Sequence, residues 1–352
     1  MPNLIILEQV RKKYLKGQIP FMDGLRRRVQ AEKPYQGLRI LHNIPLTIAT
    51  LCKIEVLVLG GADVTTTWGN LVPPQKKAVD LLKQANLKIQ IEHNLNDEYD
   101  FHLDCCADLV RLKPPKIGAV ELTQTGSEIY KKTNTSYPLV SVDDSKLKVL
   151  ETFFGTGDGF ARALLHSIDK EIYGKPFIIF GGGKVGRGIV HALKKFTDNI
   201  TIIDIRRSTE PEIKHIDARD LNKVKNAIRN AYCAITATGI KDLLTDYYSF
   251  TKADFGDCIL TNMGADDEYG SNFSSHDVAF DKKPFNFSIT EPTAFRYLDP
   301  IFYAHTLSID LILSNQINKG YHPFPDNLAT DILKKWEDIY KESTENALRT
   351  AI

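Results

Sequence analysis

The chain has 352 residues, of which 43% are hydrophobic and 25% charged, and its formal net charge at pH 7 is +1. This length predicts two domains, each with its own core, and the near-zero charge gives no electrostatic reason to expect nucleic acid or an anionic membrane as a partner. No apolar run is long enough for a signal peptide or a membrane span. The five cysteines show no disulfide or metal-site spacing. We therefore expect a cytoplasmic protein with a small-molecule substrate.

The first part of the chain alternates predicted helices with short predicted strands. Apolar residues at helical spacing predict a helix over residues 47–60, and Pro73-Pro74 opens a second helix. Short apolar runs predict strands at 62–66, 87–91 and 100–104. This alternation indicates an α/β sheet.

The predicted domain boundaries follow from glycines and from a change of pattern. Residues 144–167 predict a helix that breaks near Gly155 and Gly157, which is typical of a hinge. We therefore predict an α/β substrate domain over 1–153 and a Rossmann domain over 154–290. Helices predicted at 300–313 and 326–348 would carry the segment 291–352 back to the first domain.

A glycine-rich turn follows the apolar run at residues 177–180. The sequence Gly181-Gly182-Gly183-Lys184-Val185-Gly186 satisfies the Gly-x-Gly-x-x-Gly pattern, and an amphipathic helix continues from it. In this pattern Gly181 permits a tight turn, Gly183 lets backbone approach a pyrophosphate, and Gly186 lets the helix pack against the strand. The amides of Lys184 and Val185 would then lie at a helix start, where phosphates bind.

An acidic residue ends the next predicted strand. Asp204 follows the apolar run 200–203 and lies 18 residues after Gly186, where a carboxylate accepts hydrogen bonds from the adenosine ribose. A carboxylate repels a 2′-phosphate, so Asp204 predicts NAD as the cofactor. Arg206 and Arg207 leave two interpretations open, since they could hold a 2′-phosphate or lie solvated at the surface.

Two later segments also predict strands that end in small or polar residues. Residues 233–239 end in Thr238 and Gly239, and residues 259–264 carry Asn262 near their end. At the carboxyl edge of a parallel sheet these residues would face the cofactor. Ordinary strand-end turns are the alternative.

Together these features resemble the S-adenosylhomocysteine hydrolase family over most of the chain. The resemblance rests on short segments in a shared order, in addition to the glycine motif, Asp204, Thr236 to Gly239 with Asp242, and Asn262 with Gly264. The earlier segments are Lys33-Pro34 with Gly37 and Arg39; Thr47, Thr50 and Glu55; Gly61-Ala62-Asp63-Val64; Leu103-Asp104 with Asp108-Leu109; Thr123, Thr125 and Gly126; Asp144-Ser145; and Gly155.

The resemblance implies tightly held NAD in a cleft between a substrate lobe and a cofactor lobe. In that family NAD oxidises the ribose 3′-hydroxyl, the thiol is eliminated and water adds before the ketone is reduced again, which requires several acid–base groups. By resemblance, Thr123 and Thr125 would line the nicotinamide end and Asn286 would bind the carboxamide. Thr47 and Asp108 would contact the substrate.

Most of the family's acid–base groups are replaced in this chain. Pro45 stands where the family has a substrate-lobe histidine, and Leu122 replaces the glutamate before its TTTG run. Ala265 replaces the histidine of its NIGH segment, and Cys105 a catalytic aspartate. Losing one such group costs about 10²- to 10⁴-fold in rate, so the departures predict little hydrolase activity.

Four residues remain candidates for catalysis. One residue is deleted beside the family's catalytic lysine, so Lys148 and Lys146 are equal candidates for a base, with Glu151 orienting it; a solvated helix face is the alternative. Cys105 could act as a nucleophile or acid, or be a buried structural thiol.

The segment 291–300 departs from the family altogether. It concentrates polar residues, and we expect it to line a remodelled substrate pocket in which Glu291 contacts the substrate and Arg296 pairs with an acidic group. A polar interdomain loop capped at Asp299 is the alternative.

These observations leave several functions open. The first is an NAD-dependent oxidoreductase, or an oxidation-initiated lyase or hydrolase, acting on a nucleoside-like or polyol substrate. The others are a non-catalytic NAD-binding regulator, a true hydrolase with relocated groups and, with less support, a 2-hydroxyacid dehydrogenase. The resemblance further implies a homo-oligomer, with a dimer as the first expectation.

Overall fold

The computed structural model describes residues 2–14, 18–69, 71–91, 97–167, 172–207 and 212–351. The chain divides into two compact units. Unit 1 comprises Met1–Lys148 and Phe295–Ser343, and unit 2 comprises Val149–Ala294 and Thr344–Ile352. Each unit contains a parallel sheet with helices, so the predicted α/β class is confirmed.

Strands occupy both units. They are β1 (Arg39–Asn43), β2 (Asp63–Thr67), β3 (Lys88–Ile89), β4 (Phe101–Asp104), β5 (Gly118–Glu121), β6 (Pro138–Ser141), β7 (Phe177–Phe180), β8 (Ile200–Asp204), β9 (Lys214–Asp217), β10 (Cys233–Thr236), β11 (Ile259–Asn262), β12 (Ala279–Pro284) and β13 (Gly320–Pro323).

The α-helices lie between and after these strands. They are α1 (Leu4–Arg11), α2 (Pro20–Glu32), α3 (Thr50–Leu59), α4 (Lys76–Gln84), α5 (Gln124–Lys131), α6 (Thr156–Ser167), α7 (Lys184–Leu193), α8 (Leu221–Arg229), α9 (Leu243–Asp246), α10 (Lys252–Phe255), α11 (Phe295–Leu313), α12 (Asp326–Tyr340) and α13 (Glu345–Ala351). Short 3₁₀ turns occupy Lys12–Tyr14, Lys146–Lys148 and Phe285–Ser288, and a π-helix occupies Leu150–Gly155.

The sheet of unit 1 runs in the order β13-β6-β5-β4-β1-β2-β3 among the described residues, with all pairs parallel. Strands β4 and β5 are buried along their whole length, and β5 is a continuous run of small and apolar residues until its last residue. The last residues of the two strands, Asp104 and Glu121, are acidic and lie side by side in the register. The carboxyl edge of this sheet is therefore polar.

The sheet of unit 2 runs in the order β12-β11-β10-β7-β8-β9, again with parallel pairs. From β7 the chain proceeds outwards through β8 and β9, then returns to β10 on the other side of β7. The strand order thus reverses between β7 and β10. In open α/β sheets, ligands bind beyond the carboxyl ends of the strands at such a reversal.

The predicted break in the helix near Gly155 and Gly157 is wrong. The π-helix passes directly into α6, and Gly157 lies inside α6. A Cβ on Gly157 would lie 2.1 Å from the carbonyl oxygen of Gly188 in α7. The glycine therefore permits two helices to cross closely and does not interrupt one of them.

Helix α11 begins five residues earlier than predicted and includes Pro300 in its interior. Proline cannot donate to the carbonyl four residues before it, which is that of Arg296. The indole N–H of Trp336 donates to this carbonyl instead, at 2.8 Å. This tertiary hydrogen bond compensates for the backbone hydrogen bond that Pro300 cannot form.

The single helix predicted over 326–348 is two helices, which corrects that prediction. Helix α12 ends at Tyr340 and is capped by Lys341, whose backbone is left-handed with φ 54° and whose N–H donates to the carbonyl of Glu337. Helix α13 begins four residues later and belongs to unit 2. None of the described helices combines the length and apolar character needed to cross a membrane.

Asp299 of α11 is fully buried, and its side chain contacts the start of α2. Its two carboxylate oxygens accept from the backbone N–H groups of Phe21 at 2.8 Å and Met22 at 2.9 Å, so it satisfies two first-turn donors of that helix. Burial raises the pKa of Asp299 from its ordinary value of 3.8 to about 8.

We predict that Asp299→Asn lowers the free energy of unfolding by about 1–3 kcal/mol at pH 6, because an amide nitrogen must face one of the two N–H donors. The raised pKa means that the wild-type contribution is present at low pH and lost as the pH rises through 8. The deficit of the variant should therefore shrink between pH 6 and 9. Denaturant unfolding at both pH values measures this.

Asp338→Asn, on the exposed face of α12, is the matched control and should leave stability within about 0.5 kcal/mol of wild type. Equal stabilities of the two variants at pH 6 would contradict the capping role of Asp299.

Candidate functional site

Two glycines of the turn after β7 are required by backbone packing. Gly181 has a φ of 98°, and a Cβ there would lie 2.4 Å from the carbonyl oxygen of Ala237. A Cβ on Gly186 would lie 1.9 Å from the carbonyl oxygen of Gly181. Larger residues at either position would push α7 away from the sheet.

Gly183 differs from Gly181 and Gly186, because no atom lies within 4 Å of the position that a Cβ on Gly183 would take. It precedes α7, whose start carries no side-chain cap. The first-turn amides of this helix, including those of Lys184 and Val185, therefore have no intrahelical acceptor. Open space over uncapped amides is what a phosphate group requires.

The carboxylate of Asp204 lies next to this turn. One of its oxygens accepts from the N–H of Gly182 at 2.6 Å, and the other accepts from the N–H of Arg206 at 2.8 Å. These bonds hold the carboxylate at the carboxyl end of β8, while the side chains of Arg206 and Arg207 are exposed.

Thr238 and Gly239 lie after β10, where the sequence predicts cofactor contacts. Both N–H groups and the Thr238 hydroxyl donate to the carboxylate of Glu268, at 2.7–3.0 Å. Burial raises the pKa of Glu268. In this structure Glu268 shapes the turn, and the cofactor contacts of Thr238 and Gly239 stay a prediction.

Asn262, the last residue of β11, is also held internally. Its amide donates to the carbonyls of Asp266 at 2.8 Å and Lys282 at 2.7 Å, and its oxygen accepts from the hydroxyl of Thr236 at 2.9 Å. Asn262 thus orders the loop beyond the strand.

Asn286 is buried in the 3₁₀ turn after β12. Its amide nitrogen donates to the carbonyl of Pro292 at 3.3 Å. Its side-chain oxygen is buried and has no hydrogen-bond partner among the described residues. An acceptor in that condition suits a ligand amide, which is the role that the family resemblance implies for Asn286.

In unit 1, the carboxyl ends of β4 and β5 carry a buried acidic network. Asp104 accepts from the amide of Asn43 at 2.9 Å and from the hydroxyl of Tyr130 at 2.7 Å. Burial, followed by the neighbouring Glu121, raises the pKa of Asp104, and burial raises that of Glu121. Both carboxyls are therefore driven towards the protonated form.

Glu121 connects this network to the residues after β4. It accepts from the N–H groups of Cys106 at 3.2 Å and Ala107 at 3.1 Å, and from the hydroxyl of Thr123 at 2.6 Å. Thr123 also caps α5. Thr125 lies exposed in the first turn of that helix.

Cys105 is buried, and its sulfur lies 3.8 Å from that of Cys106. The Cys106 thiol, followed by burial, raises the pKa of Cys105 well above its usual range. A protonated thiol is a poor nucleophile, which favours the structural interpretation of this cysteine.

The two candidate lysines have different surroundings. Lys148 is 2% exposed, and its Nζ donates to the carbonyl of Leu122 at 2.6 Å and lies 4.0 Å from the carboxylate of Asp143. Lys146 is half-exposed and pairs with Asp326 at 3.0 Å. The geometry therefore distinguishes two residues that the sequence left equal.

The remaining predicted residues are distributed over both units. The hydroxyl of Thr47 lies 3.1 Å from that of Thr50, and Asp108 is half-buried, with its carboxylate 3.4 Å from the amide of Asn43. Glu151 lies in the π-helix of unit 2, a geometry that is frequent at functional sites.

The segment 291–300 is divided between the two units. Glu291 belongs to unit 2, where its carbonyl accepts from Arg162 at 2.8 Å. Arg296 lies in α11 of unit 1, stacks on the ring of Tyr297 at 4.4 Å and pairs with Glu342 at 3.4 Å. Their pocket role stays a prediction.

Sequence reasoning missed several buried polar residues. Asn43, Asp143 and Glu268 are single polar positions in apolar surroundings, and Glu121 ends an apolar strand much as Asp204 does. Glu121 could have been found by that signal. The others are recognisable only from their partners in space.

Comparison with known proteins agrees with this geometry. The family model described as "S-adenosyl-L-homocysteine hydrolase, NAD binding domain" matches residues 152–275. An adenosylhomocysteinase of Thermoplasma acidophilum is 25% identical over 262 residues, which cover 67% of this chain and 64% of that protein. An S-inosyl-L-homocysteine hydrolase of Methanopyrus kandleri is 24% identical over 277 residues, which cover 71% and 65%. The matches thus span slightly less than two thirds of these relatives.

Among solved structures, the A chain of dipicolinate synthase from Bacillus subtilis is similar with a TM-score of 0.44 and 13% identity. The aligned region covers 80% of this chain and 98% of the synthase chain.

The residues present fit NAD, the cofactor that the matched domain binds. Gly183 leaves room over the helix amides, Asp204 lies at the end of β8, and Asn286 retains a buried acceptor. These positions suit the pyrophosphate, the adenosine ribose and the carboxamide, respectively.

We predict that Gly183→Ala weakens NAD binding at least about tenfold, equivalent to about 1.4 kcal/mol, because a methyl group would occupy the space over the amides. The fold tolerates this change, since the φ of Gly183 is −78° and no atom is near. Fluorescence titration with NAD and thermal unfolding of the cofactor-free protein measure both effects.

Gly24→Ala in α2 also meets no atom within 4 Å and is the control. It should bind NAD as wild type does. If Gly183→Ala retains wild-type affinity, the pyrophosphate does not approach this glycine.

Proposed function

We propose that this chain, whose residues 152–275 match the NAD-binding domain of the S-adenosylhomocysteine hydrolase family, is an oxidoreductase that uses NAD to oxidise a hydroxyl group. Its substrate is a small nucleoside-like or polyol molecule. Full hydrolysis of a thioether is not its reaction. We further propose that it works as a homo-oligomer, with a dimer as the first expectation.

The distribution of retained and replaced groups supports this proposal. The residues that we expect to hold the cofactor are present, whereas by resemblance Pro45, Leu122 and Ala265 stand where the family has proton-transferring side chains. None of these three can gain or lose a proton near neutral pH. Oxidation of a hydroxyl needs a single base, whereas elimination and addition of water need further acid–base groups.

The burial of Lys148 carries the proposal. Its amine lies at the carboxyl edge of the unit 1 sheet, bonded to the carbonyl of Leu122 and 4.0 Å from Asp143. An amine in its neutral form can accept the proton of a hydroxyl group. When bound, NAD supplies a hydride acceptor. Lys148 would take the proton of the substrate hydroxyl, and Asp143 would stabilise the ammonium formed.

A non-catalytic NAD-binding protein is the second candidate. It is favoured by the raised pKa of Cys105, which leaves that thiol protonated at the position of a catalytic aspartate. Measured turnover with any hydroxyl substrate would exclude this alternative.

We predict that Lys148→Met lowers the rate of NAD reduction at least about 100-fold while the NAD content of the purified protein is unchanged. The measurement is the absorbance of reduced NAD with adenosine, inosine, S-adenosylhomocysteine and neutral polyols as substrates. We expect no release of free adenosine from S-adenosylhomocysteine.

Lys146→Met provides the comparison, because Lys146 is half-exposed and pairs with Asp326. It should retain activity within a few-fold of wild type. A larger loss in Lys146→Met than in Lys148→Met would assign the base to Lys146, and release of adenosine would establish a true hydrolase.

A further inference from the structure

Unit 1 contains three basic side chains that the mechanism above does not use. His42 in β1, Lys53 in α3 and His305 in α11 are each 0% exposed. Lysine and histidine are seldom fully buried, and lysine almost never without a partner that offsets its charge. Three such residues from three elements form what we call the basic cluster.

The members of the basic cluster are close to one another. The Nζ atom of Lys53 lies 2.6 Å from Nδ1 of His305 and 5.8 Å from the ring centre of Phe302. His42 is near enough to lower the pKa of His305 electrostatically, and Lys53 likewise lowers that of His42. The cluster is thus a local concentration of basic groups that can donate hydrogen bonds.

Several polar atoms of this region have no hydrogen-bond partner among the described residues. They are both ring nitrogens of His42, Nε2 of His305 and the hydroxyl of Thr66, which lies beside His42 in the strand register. Native proteins leave few buried polar atoms unsatisfied, and clusters of them usually belong to a binding site or to bound water. These atoms point to a polar group that is not part of the chain.

No acidic side chain offsets the basic cluster. In the described part of the chain no carboxylate lies within 4.0 Å of Lys53, His42 or His305, whereas other buried cations such as Arg11 form ion pairs. Outside the cluster, the thiol of Cys105 acts electrostatically on Lys53, and the amine of Lys148 acts electrostatically on His305. A buried cation without an acid is costly unless it is neutral or an anion binds it.

The basic cluster also lies where ligands of parallel sheets bind. His42 and Thr66 are the penultimate residues of β1 and β2, close to the carboxyl edge that carries Lys148. A group bound there would belong to a molecule that also reaches the amine of Lys148.

We propose that the basic cluster binds the carboxylate of the substrate, so that the substrate is a hydroxylated carboxylic acid. This inference rests on the function proposed above, because it assigns the second functional group of the molecule whose hydroxyl faces Lys148. Lys53 and His305 donate to the carboxylate, and His42 with Thr66 completes its hydrogen bonds.

Proton uptake should accompany binding. Burial, followed by neighbouring positive charge, lowers the pKa of His42 and His305, and burial lowers that of Lys53. His42 and His305 are therefore driven towards the neutral form when the site is empty, and a bound anion favours the uptake of a proton. Affinity should fall by up to about tenfold per pH unit as the pH rises, for each proton taken up. The Cys105→Ser variant should show the same proton uptake, because the basic cluster and not the thiol takes up the proton.

The test is isothermal titration of the NAD-loaded protein with gluconate and with its neutral counterpart sorbitol, and with glycerate and glycerol. We expect saturable binding of at least one acid, at least tenfold tighter than its neutral counterpart. Titration in two buffers of different ionisation enthalpy should show proton uptake. Absence of acid binding, or equal affinity for acid and neutral partner, would overturn the inference.

Lys53→Met removes the amine and keeps the length of the side chain. It should weaken acid binding at least tenfold and abolish proton uptake, with unchanged NAD content and no loss of thermal stability. Lys88→Met, which removes an exposed lysine of the same unit, should bind the acid as wild type does. If Lys53→Met does not fold, His42→Asn serves the same purpose, since it removes the imidazole and keeps a polar side chain. Wild-type acid affinity in either variant contradicts the proposal.

Failure of this inference is distinguishable from failure of the proposed function. Reduction of NAD by neutral polyols or nucleosides without any acid binding would leave the oxidoreductase intact and remove the carboxylate site. Acid binding that depends on Lys53, without reduction of NAD by any substrate, would support the carboxylate site and contradict the oxidoreductase.

Discussion

Direct contact between main chains is the constraint on which the cofactor-binding unit depends. Gly186 approaches the carbonyl of Gly181, Gly181 approaches that of Ala237, and Gly157 approaches that of Gly188. None of these distances leaves room for a Cβ atom. Helix α7 can therefore lie close enough to the sheet and to α6 for its uncapped start to project beyond β7. Hydrophobic packing of Ile189 and Leu193 under the same helix stabilises an arrangement that the glycines make possible.

The carboxyl edge of unit 1 is organised on a different principle. Here buried carboxyl groups, and not glycines, define the loops: Asp104 and Glu121 accept backbone and side-chain donors from the segment after β4. Burial drives both towards protonation, so they act as hydrogen-bonding centres more than as charges. The buried basic side chains of this unit include Lys148, Lys53 and His305. Acids that are driven towards protonation, together with these bases, agree in charge with the carboxylate ligand that we propose.

The cofactor-binding region and the positions of the acid–base groups thus compare differently with the family. Residues 152–275, which include the glycine motif and Asp204, match the NAD-binding domain of the family, although the chain is only 24–25% identical to the two relatives described above. By resemblance, Pro45, Leu122 and Ala265 stand where the family has acid–base groups, and none of these three can transfer a proton. Loss of the acid–base set together with retention of the cofactor set is the pattern expected when the substrate changes and the redox step remains.

The sequence by itself determined the α/β class, the Rossmann motif and NAD, because these depend on local order: an apolar strand, glycines at fixed spacing, and an acid at the end of the next strand. It could not decide between Lys146 and Lys148, since both lie in one short turn and only burial separates them. It also placed the start of α11 too late, because a distant indole, that of Trp336, satisfies the carbonyl that Pro300 leaves open. His42, Lys53 and His305 stand far apart in the chain, and only the fold of unit 1 brings three bases into one dry interior. Tertiary structure decided these points because each depends on a partner remote in sequence.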